Sequence, residues 1–222
     1  FIQASTKKWA YPQVVMSGVV EGYTTSTTIK GGTFTNKRSA VTSKIFHNYT
    51  PAGYETIRVS GGTFNKSISK DYCTEGFIPE SKKVDGKIVY TVGGPYEAKI
   101  SSTGYKTLAE AITAAKSGNT VKLLKDIKLT DDLVVDKTLT LDLVGKTIET
   151  AGHKFDITGN LTITGNGTIN NATLAEGKQI DHTADVKTML YVEKGGKLTI
   201  KNGTFTTKAS QVVLTAGTTT IE

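Results

Sequence analysis

One short pattern returns along the chain and narrows the folds open to it. It reads Thr28-Ile29-Lys30-Gly31-Gly32-Thr33-Phe34, then Arg58-Val59-Ser60-Gly61-Gly62-Thr63-Phe64. Thr162-Ile163-Thr164-Gly165-Asn166-Gly167-Thr168-Ile169 and Thr199-Ile200-Lys201-Asn202-Gly203-Thr204-Phe205 follow the same plan. A worn copy is Leu143-Val144-Gly145-Lys146-Thr147-Ile148, and Thr219-Thr220-Ile221 begins another. Each copy is a β-branched stretch, a Gly or Asn corner, then Thr and one large apolar residue. Leu143 to Ile163 spans 20 residues and Ile200 to Ile221 spans 21, whereas Ile29 to Val59 spans 30 and Ile163 to Ile200 spans 37. A length of about 20 reads as the bare coil. The excess reads as loops inserted between strands, notably 35–54 and 170–188. Strand-forming residues repeating at that length indicate a solenoid.

The local chemistry suits such a coil. Leu139-Thr140-Leu141-Asp142-Leu143, Leu161-Thr162-Ile163 and Leu198-Thr199-Ile200 alternate with period 2, which sends Leu and Ile to one face and Thr or Asp to the other. Thr fills 37 of the 222 positions and, with Ile and Val, fits a pleated surface. One coil cannot bury its own apolar face, but stacked coils pair every backbone group with the coil above and below. Phe34 with Phe64, and Ile169 with Phe205, are then expected to line up as interior ladders. A leucine-rich repeat lacks its leucine skeleton here, and an immunoglobulin-like sandwich is the remaining all-β alternative.

A single segment, 107–116, reads as a helix. Thr107 and Glu110 have capping-box spacing, Leu108, Ala111, Ile112 and Ala115 form one apolar stripe, Lys116 suits the C-terminal end and Gly118 stops it. A solenoid exposes apolar interior at its ends, so an amphipathic helix ahead of a run of coils reads as a cap. With repeats on both sides of it, the helix implies a boundary near Gly93-Gly94-Pro95. Residues 1–94 are then the C-terminal part of one β-solenoid module plus a link, and 95–222 a second module that starts with the helical cap and is cut short. The absence of an initial Met and the break in pattern at Ile221-Glu222 read as cuts within a longer chain.

Composition excludes several functions. No run approaches the ~20 apolar residues of a membrane span, so membrane insertion is not expected. Cys73 has no partner for a disulfide. The net charge of +7 comes almost wholly from scattered lysines, with Arg38 and Arg58 the sole arginines, so nucleic-acid binding is not expected.

Chemistry is sparse. Asp131-Asp132 is the one adjacent acidic pair and falls in a turn, while Asp142 and Asp156 are candidates for neighbouring coils. Without an Arg or a recurring His nearby, no acid–base constellation forms and no catalytic residue is assigned. Gly145-Lys146-Thr147 lacks the earlier Gly and the helix of a phosphate loop and reads as a coil corner. His47, His153 and His182 lack metal-ligand spacing, so no metal or cofactor is expected. Cys73 reads as a buried, inert thiol. Gly22-Tyr23, Gly53-Tyr54, Gly76-Phe77 and Gly104-Tyr105 recur before strand segments, as anchors for loops or, if exposed, as platforms for sugars.

The Ile/Val-x-Gly-Gly-Thr-Phe units resemble the β-helix repeat modules of large surface proteins of Gram-positive, Clostridia-type gut bacteria. Asp71-Tyr72-Cys73-Thr74-Glu75-Gly76-Phe77 with Tyr90-Thr91-Val92 is similar to the link after such a repeat block. Tyr105-Lys106-Thr107-Leu108-Ala109-Glu110-Ala111-Ile112 resembles a module start. The resemblance implies a pectate-lyase-like, right-handed parallel β-helix in a secreted adhesin or stalk at a bacterial cell surface or cell wall. The expectation is therefore an all-β structural and adhesive module, not an enzyme, that presents loops to a glycan or protein ligand on a host or neighbouring cell. Successive modules of the same chain would contact one another. A viral tail or head fibre, and a polysaccharide lyase or hydrolase, are the alternatives.

Overall fold

Alternating side chains on short strands have one stable outlet when each strand is too short to make a sheet alone: stacking on the equivalent strand of the next coil. The computed structural model takes this outlet as a parallel β-helix, and it describes residues 2–3, 15–17, 25–37, 45–48, 55–172, 188–208 and 211–222. By compactness the chain divides into two units, Phe1–Pro95 and Tyr96–Glu222.

In the first unit the strands are β1 (Ile2–Gln3), β2 (Val15–Ser17), β3 (Thr25–Ile29), β4 (Thr33–Asn36), β5 (Phe46–Asn48), β6 (Glu55–Val59) and β7 (Thr63–Phe64). Parallel pairs β1–β4–β7, β2–β5 and β3–β6 make three small sheets, one to a side. Ile29 stands on Val59 and Phe34 on Phe64, the ladder that the repeats predict. The inserted-loop reading of 35–54 needs correction, because β5 lies inside that span. Ile45 and Phe46 are buried among Ile57, Phe64 and Ile68. An apolar pair flanked by polar residues is too short to show strand periodicity, which hides the third side of the coil in the sequence. Asn65 ends this stack: its Oδ1 accepts the Asn36 amide and its Nδ2 donates to the Asn36 carbonyl, both at 2.9 Å, so one side chain imitates a paired strand.

A hairpin follows, β8 (Ile78–Val84) and β9 (Lys87–Gly93). Its turn, Asp85-Gly86, takes positive φ at both positions (47° and 76°), the two-residue geometry that matches strand twist. Strand β9 lies antiparallel against β7, which ends the parallel series.

The second unit opens with another hairpin, β10 (Ala98–Ile100) and β11 (Thr103–Tyr105), then helix α1 (Leu108–Ala114). Leu108, Ala111, Ile112 and Ala115 all join the core at the end of the stack, as expected of a cap. Two details depart from expectation. Thr107 Oγ1 accepts the Glu110 amide at 3.1 Å, but the Glu110 carboxylate reaches back to the Lys106 amide at 3.0 Å, outside the helix. The open Leu108 amide is instead met by Glu97 Oε2 at 3.0 Å, from the hairpin upstream. The helix also stops earlier: Ala115 is already extended, so Lys116 and Gly118 lie beyond it and neither meets its last turn.

Four coils follow. They are β12 (Asn119–Leu123), β13 (Ile127–Lys128) and β14 (Leu133–Val135); β15 (Thr138–Asp142), β16 (Thr147–Glu149) and β17 (Phe155–Ile157); β18 (Asn160–Thr164), β19 (Thr168–Asn171) and β20 (Thr188–Val192); β21 (Lys197–Ile200), β22 (Thr204–Thr207) and β23 (Gln211–Thr215). Strand β24 (Thr218–Ile221) adds one more rung to the first sheet. Every pairing between coils is parallel and in register. Three interior columns result: Val121–Leu141–Ile163–Ile200 from the first sheet, Ile127–Ile148–Ile169–Phe205 from the second, and Leu133–Phe155–Leu190–Val213 from the third. Nearly all are buried, while Phe205 and Val213 are half-buried at the far end.

The register corrects one repeat anchor. Leu141, not Leu143, stands opposite Ile163, so this turn of the coil is 22 residues long. Leu143 is an extra corner residue, and its side chain is buried beneath Gly167 and Gly203 of the next two coils. A Cβ on Gly167 would fall 2.5 Å from Leu143 Cβ, which is why that position lacks a side chain. The 170–188 excess lies between β19 and β20, with 173–187 outside the described residues. Among the described residues no helix is long and apolar enough to cross a membrane.

Candidate functional site

Each sheet of the second unit turns one column of alternating residues outward, and the three outer faces differ in chemistry. The first carries Thr120, Thr140, Thr162, Thr199 and Thr220 in line. Flanking this column, Lys122 pairs with Asp142 at 3.0 Å and Lys201 with Glu222 at 3.2 Å. These are solvated ion pairs on a β-branched surface, the usual dressing of an exposed sheet. Asp142 has a second task, accepting the Val144 amide at 3.1 Å where Val144 takes φ 50° at the corner.

The third sheet brings together a more varied set. Its outward column is Val134, Asp156, Tyr191 and Leu214. Lys154, two residues before Asp156 and so on the same face, places its Nζ 3.4 Å from Asp156 Oδ2 and 4.9 Å from the centre of the Tyr191 ring. Asp132, in the turn before β14, accepts the Lys154 amide at 3.1 Å and lies 3.3 Å from His153 Nδ1. Asp156 Oδ1 is shut off from solvent and has no hydrogen-bond partner. A ring, two carboxylates, an ammonium and an imidazole thus share one patch across adjacent rungs.

The other residues weighed for chemistry separate. Asp131 is exposed, with Thr130 Oγ1 donating to its carboxylate at 2.9 Å. Asp142 and Asp156 do not sit on neighbouring coils; they belong to one coil, on β15 and β17, and face outward from different sheets. Their separation of 14 residues is less than the 22-residue turn, so both fall within it. Gly145-Lys146-Thr147 forms that corner, with Gly145 at φ 73°. His47 lies on β5 with its side chain outside the described set, and His182 lies outside the described residues altogether. Among the described residues no three His, Cys, Asp or Glu side chains gather as metal ligands.

Cys73 bridges to Val59 beside the short 3-10 turn Lys70–Tyr72. Burial pushes its thiol up to about 11, against a smaller lowering by Lys70 and a small rise from Asp71. Phe77 and Tyr105 pack against the cores of their own units. Gly104 leaves room for the ring of Tyr96. The Gly22-Tyr23 and Gly53-Tyr54 pairs lie outside the described residues.

Cavities also occur among the described residues. One of ≈ 590 Å³ lies by Ile200, Phe205, Val212 and Ile221 at the far end of the second unit, and one of ≈ 540 Å³ by Phe46, Ile68 and Tyr72 in the first. Neither gathers titratable groups into reacting geometry.

The third-face patch is not obvious in the sequence because its members come from three separate segments. The one legible clue is Lys154-x-Asp156, a pair spaced to share a strand face. No protein-family model, no curated protein and no solved structure matches the chain.

Proposed function

We propose that the chain is a structural and adhesive module of a bacterial surface protein, a stiff β-solenoid that holds a binding surface away from the cell. The observation that carries this reading is the register-locked stack of the second unit, in which every coil-to-coil pairing is parallel and the apolar columns run from the helical cap to the fourth coil. A scaffold needs such a continuous ladder of hydrogen bonds, whereas an enzyme needs convergent acid and base groups. Asp131 and Asp142 take no part in the grouping of Asp132, His153, Lys154 and Asp156, whose members are engaged with one another in ion pairs on an outer strand face, which supports the scaffold. The module works without a cofactor, and its partner is a glycan or protein on a host or neighbouring cell.

Sedimentation of the purified chain and turnover assays on pectic and host-glycan panels test the proposal together. A monomer with no turnover is expected. A stable trimer would favour a viral fibre, and turnover lost in Asp131→Ala or Asp142→Ala would make the protein a polysaccharide-degrading enzyme.

A further inference from the structure

The patch on the third sheet has a composition that solvated scaffold does not require. Surface ion pairs contribute little to stability, so Lys154 and Asp156 are poorly explained as supports for the coil, whereas Asp132 ties adjacent coils through the Lys154 amide and has one carboxylate oxygen to spare. Tyr191 lies half-buried on an outward position where Thr would serve, between a lysine ammonium on one rung and Leu214 on the next. Asp156 encloses Oδ1 within the fold, so the open side of its carboxylate is Oδ2, which meets the Lys154 ammonium and keeps acceptor capacity on the outer face.

We propose that Tyr191, Asp156, Lys154 and Asp132 form a shallow binding site for a neutral saccharide. A sugar offers both things the patch lacks. Its hydroxyls donate to carboxylate oxygens in short, charge-assisted hydrogen bonds, and its C–H face lies on an aromatic ring. Asp156 Oδ2 takes one hydroxyl beside the Lys154 ammonium, Asp132 Oδ2 a second, and Lys154 Nζ donates to a ring or hydroxyl oxygen beside Tyr191. Two carboxylates against one ammonium give the patch no surplus positive charge, so a uronate or sialate meets repulsion and a neutral sugar does not. The site spans adjacent rungs at the ~4.8 Å spacing of parallel strands, which suits an extended oligosaccharide better than a single ring.

This inference rests on the adhesive part of the proposed function and names its ligand class. The stalk and the site fail separately: sedimentation and turnover judge the first, and ligand titration the second.

The test is titration of the ¹⁵N-labelled chain with xylohexaose, cellohexaose, maltohexaose and mannopentaose, with trigalacturonate as the acidic comparator, all at millimolar concentration. At least one neutral oligosaccharide is expected to shift the amides of 154–156 and 190–192. Tyr191→Ala and Asp156→Ala are each expected to weaken that binding by at least about tenfold. Tyr191→Phe, which keeps the ring, is expected to retain most of it, and Asp142→Ala on the first sheet to bind as the parent does. Unchanged spectra away from the patch show that each variant is folded, and either Ala variant alone is enough to judge the site. The proposal is overturned if no neutral oligosaccharide moves those amides, if trigalacturonate binds more tightly than all of them, or if the folded Ala variants bind like the parent.

Discussion

Phe34 and Phe64 stand opposite each other on adjacent coils, and their rings stack with centroids 5.2 Å apart and planes 18° from parallel. Phe46 meets both edge-on, at 6.4 and 5.6 Å. Phe64 is buried, so truncating it forfeits its transfer energy and opens a cavity beside two other rings. Phe64→Ala is expected to destabilise the first unit by about 3–5 kcal/mol, and Phe64→Leu by clearly less. Urea unfolding followed by circular dichroism measures both, and equal losses would argue against the stacked arrangement.

Gly167 lies over the extra corner residue Leu143. A methyl group there would also meet the Lys146 carbonyl, which is backbone and cannot swing aside. Gly167→Ala is expected to cost about 1–3 kcal/mol, the usual range for overpacking. Because the close contact is with Leu143 Cβ, Leu143→Gly should cost less in the Gly167→Ala background than it does alone, so the two changes should be non-additive in thermal melts. Strict additivity would show that the two residues do not touch.

Lys122 and Asp142 share an exposed ion pair, but they are not equivalent. Lys122→Ala removes only the pair and is expected to cost under about 1 kcal/mol, fading with added salt. Asp142→Ala also removes the acceptor for the Val144 amide at a positive-φ corner, and is expected to cost more, with a part that salt does not screen. Stability measured at low and high salt separates the two.

At the entry to the second unit, Glu97 and Thr107 each satisfy an amide of the capping helix. Replacing either with Ala is expected to cost on the order of 1 kcal/mol. Hydrogen exchange should show the loss first as faster exchange at Leu108 in the Glu97 variant and at Glu110 in the Thr107 variant. The reverse pattern would refute this assignment of caps.

Cys73 carries a folded-state thiol raised to about 11, above the ordinary thiol value, chiefly by burial. Raising the value favours the protonated form in the fold, so the linked stability is complete below the unfolded thiol's value and is lost as pH rises toward 11. Iodoacetamide at pH 8 is expected to label Cys73 slowly in the native protein and rapidly in urea. Fast native labelling would show an exposed thiolate.

The sequence makes the fold legible wherever one strand carries its own signal. Leu139-Thr140-Leu141 and Leu198-Thr199-Ile200 announce both their period and their inward face, and Gly61-Gly62 and Asn202-Gly203 mark corners. What stays hidden depends on the neighbouring coil. Ile45-Phe46 is too brief to display a period, and Leu143 passes for an anchor because only the register reveals the extra residue in its corner. Glu97 and Asn65 act on amides 11 and 29 positions away, beyond any local motif. The third-face patch is concealed for the same reason: Asp132, Lys154 and Tyr191 become neighbours only once the coils are stacked.

The hairpin lying antiparallel against β12, with α1 beneath it, makes the second unit directional. A bare parallel ladder is a template on which any matching strand could crystallise, the hazard that turns repetitive β-proteins into fibrils. Strand β10 reverses direction between β12 and the edge strand β11, and with α1 packed behind, this end of the first sheet is a three-residue edge rather than another full coil. A newcomer to the first sheet therefore meets a short edge and a helix at this end instead of a bare coil, which makes fibril-like extension of that ladder less favourable there.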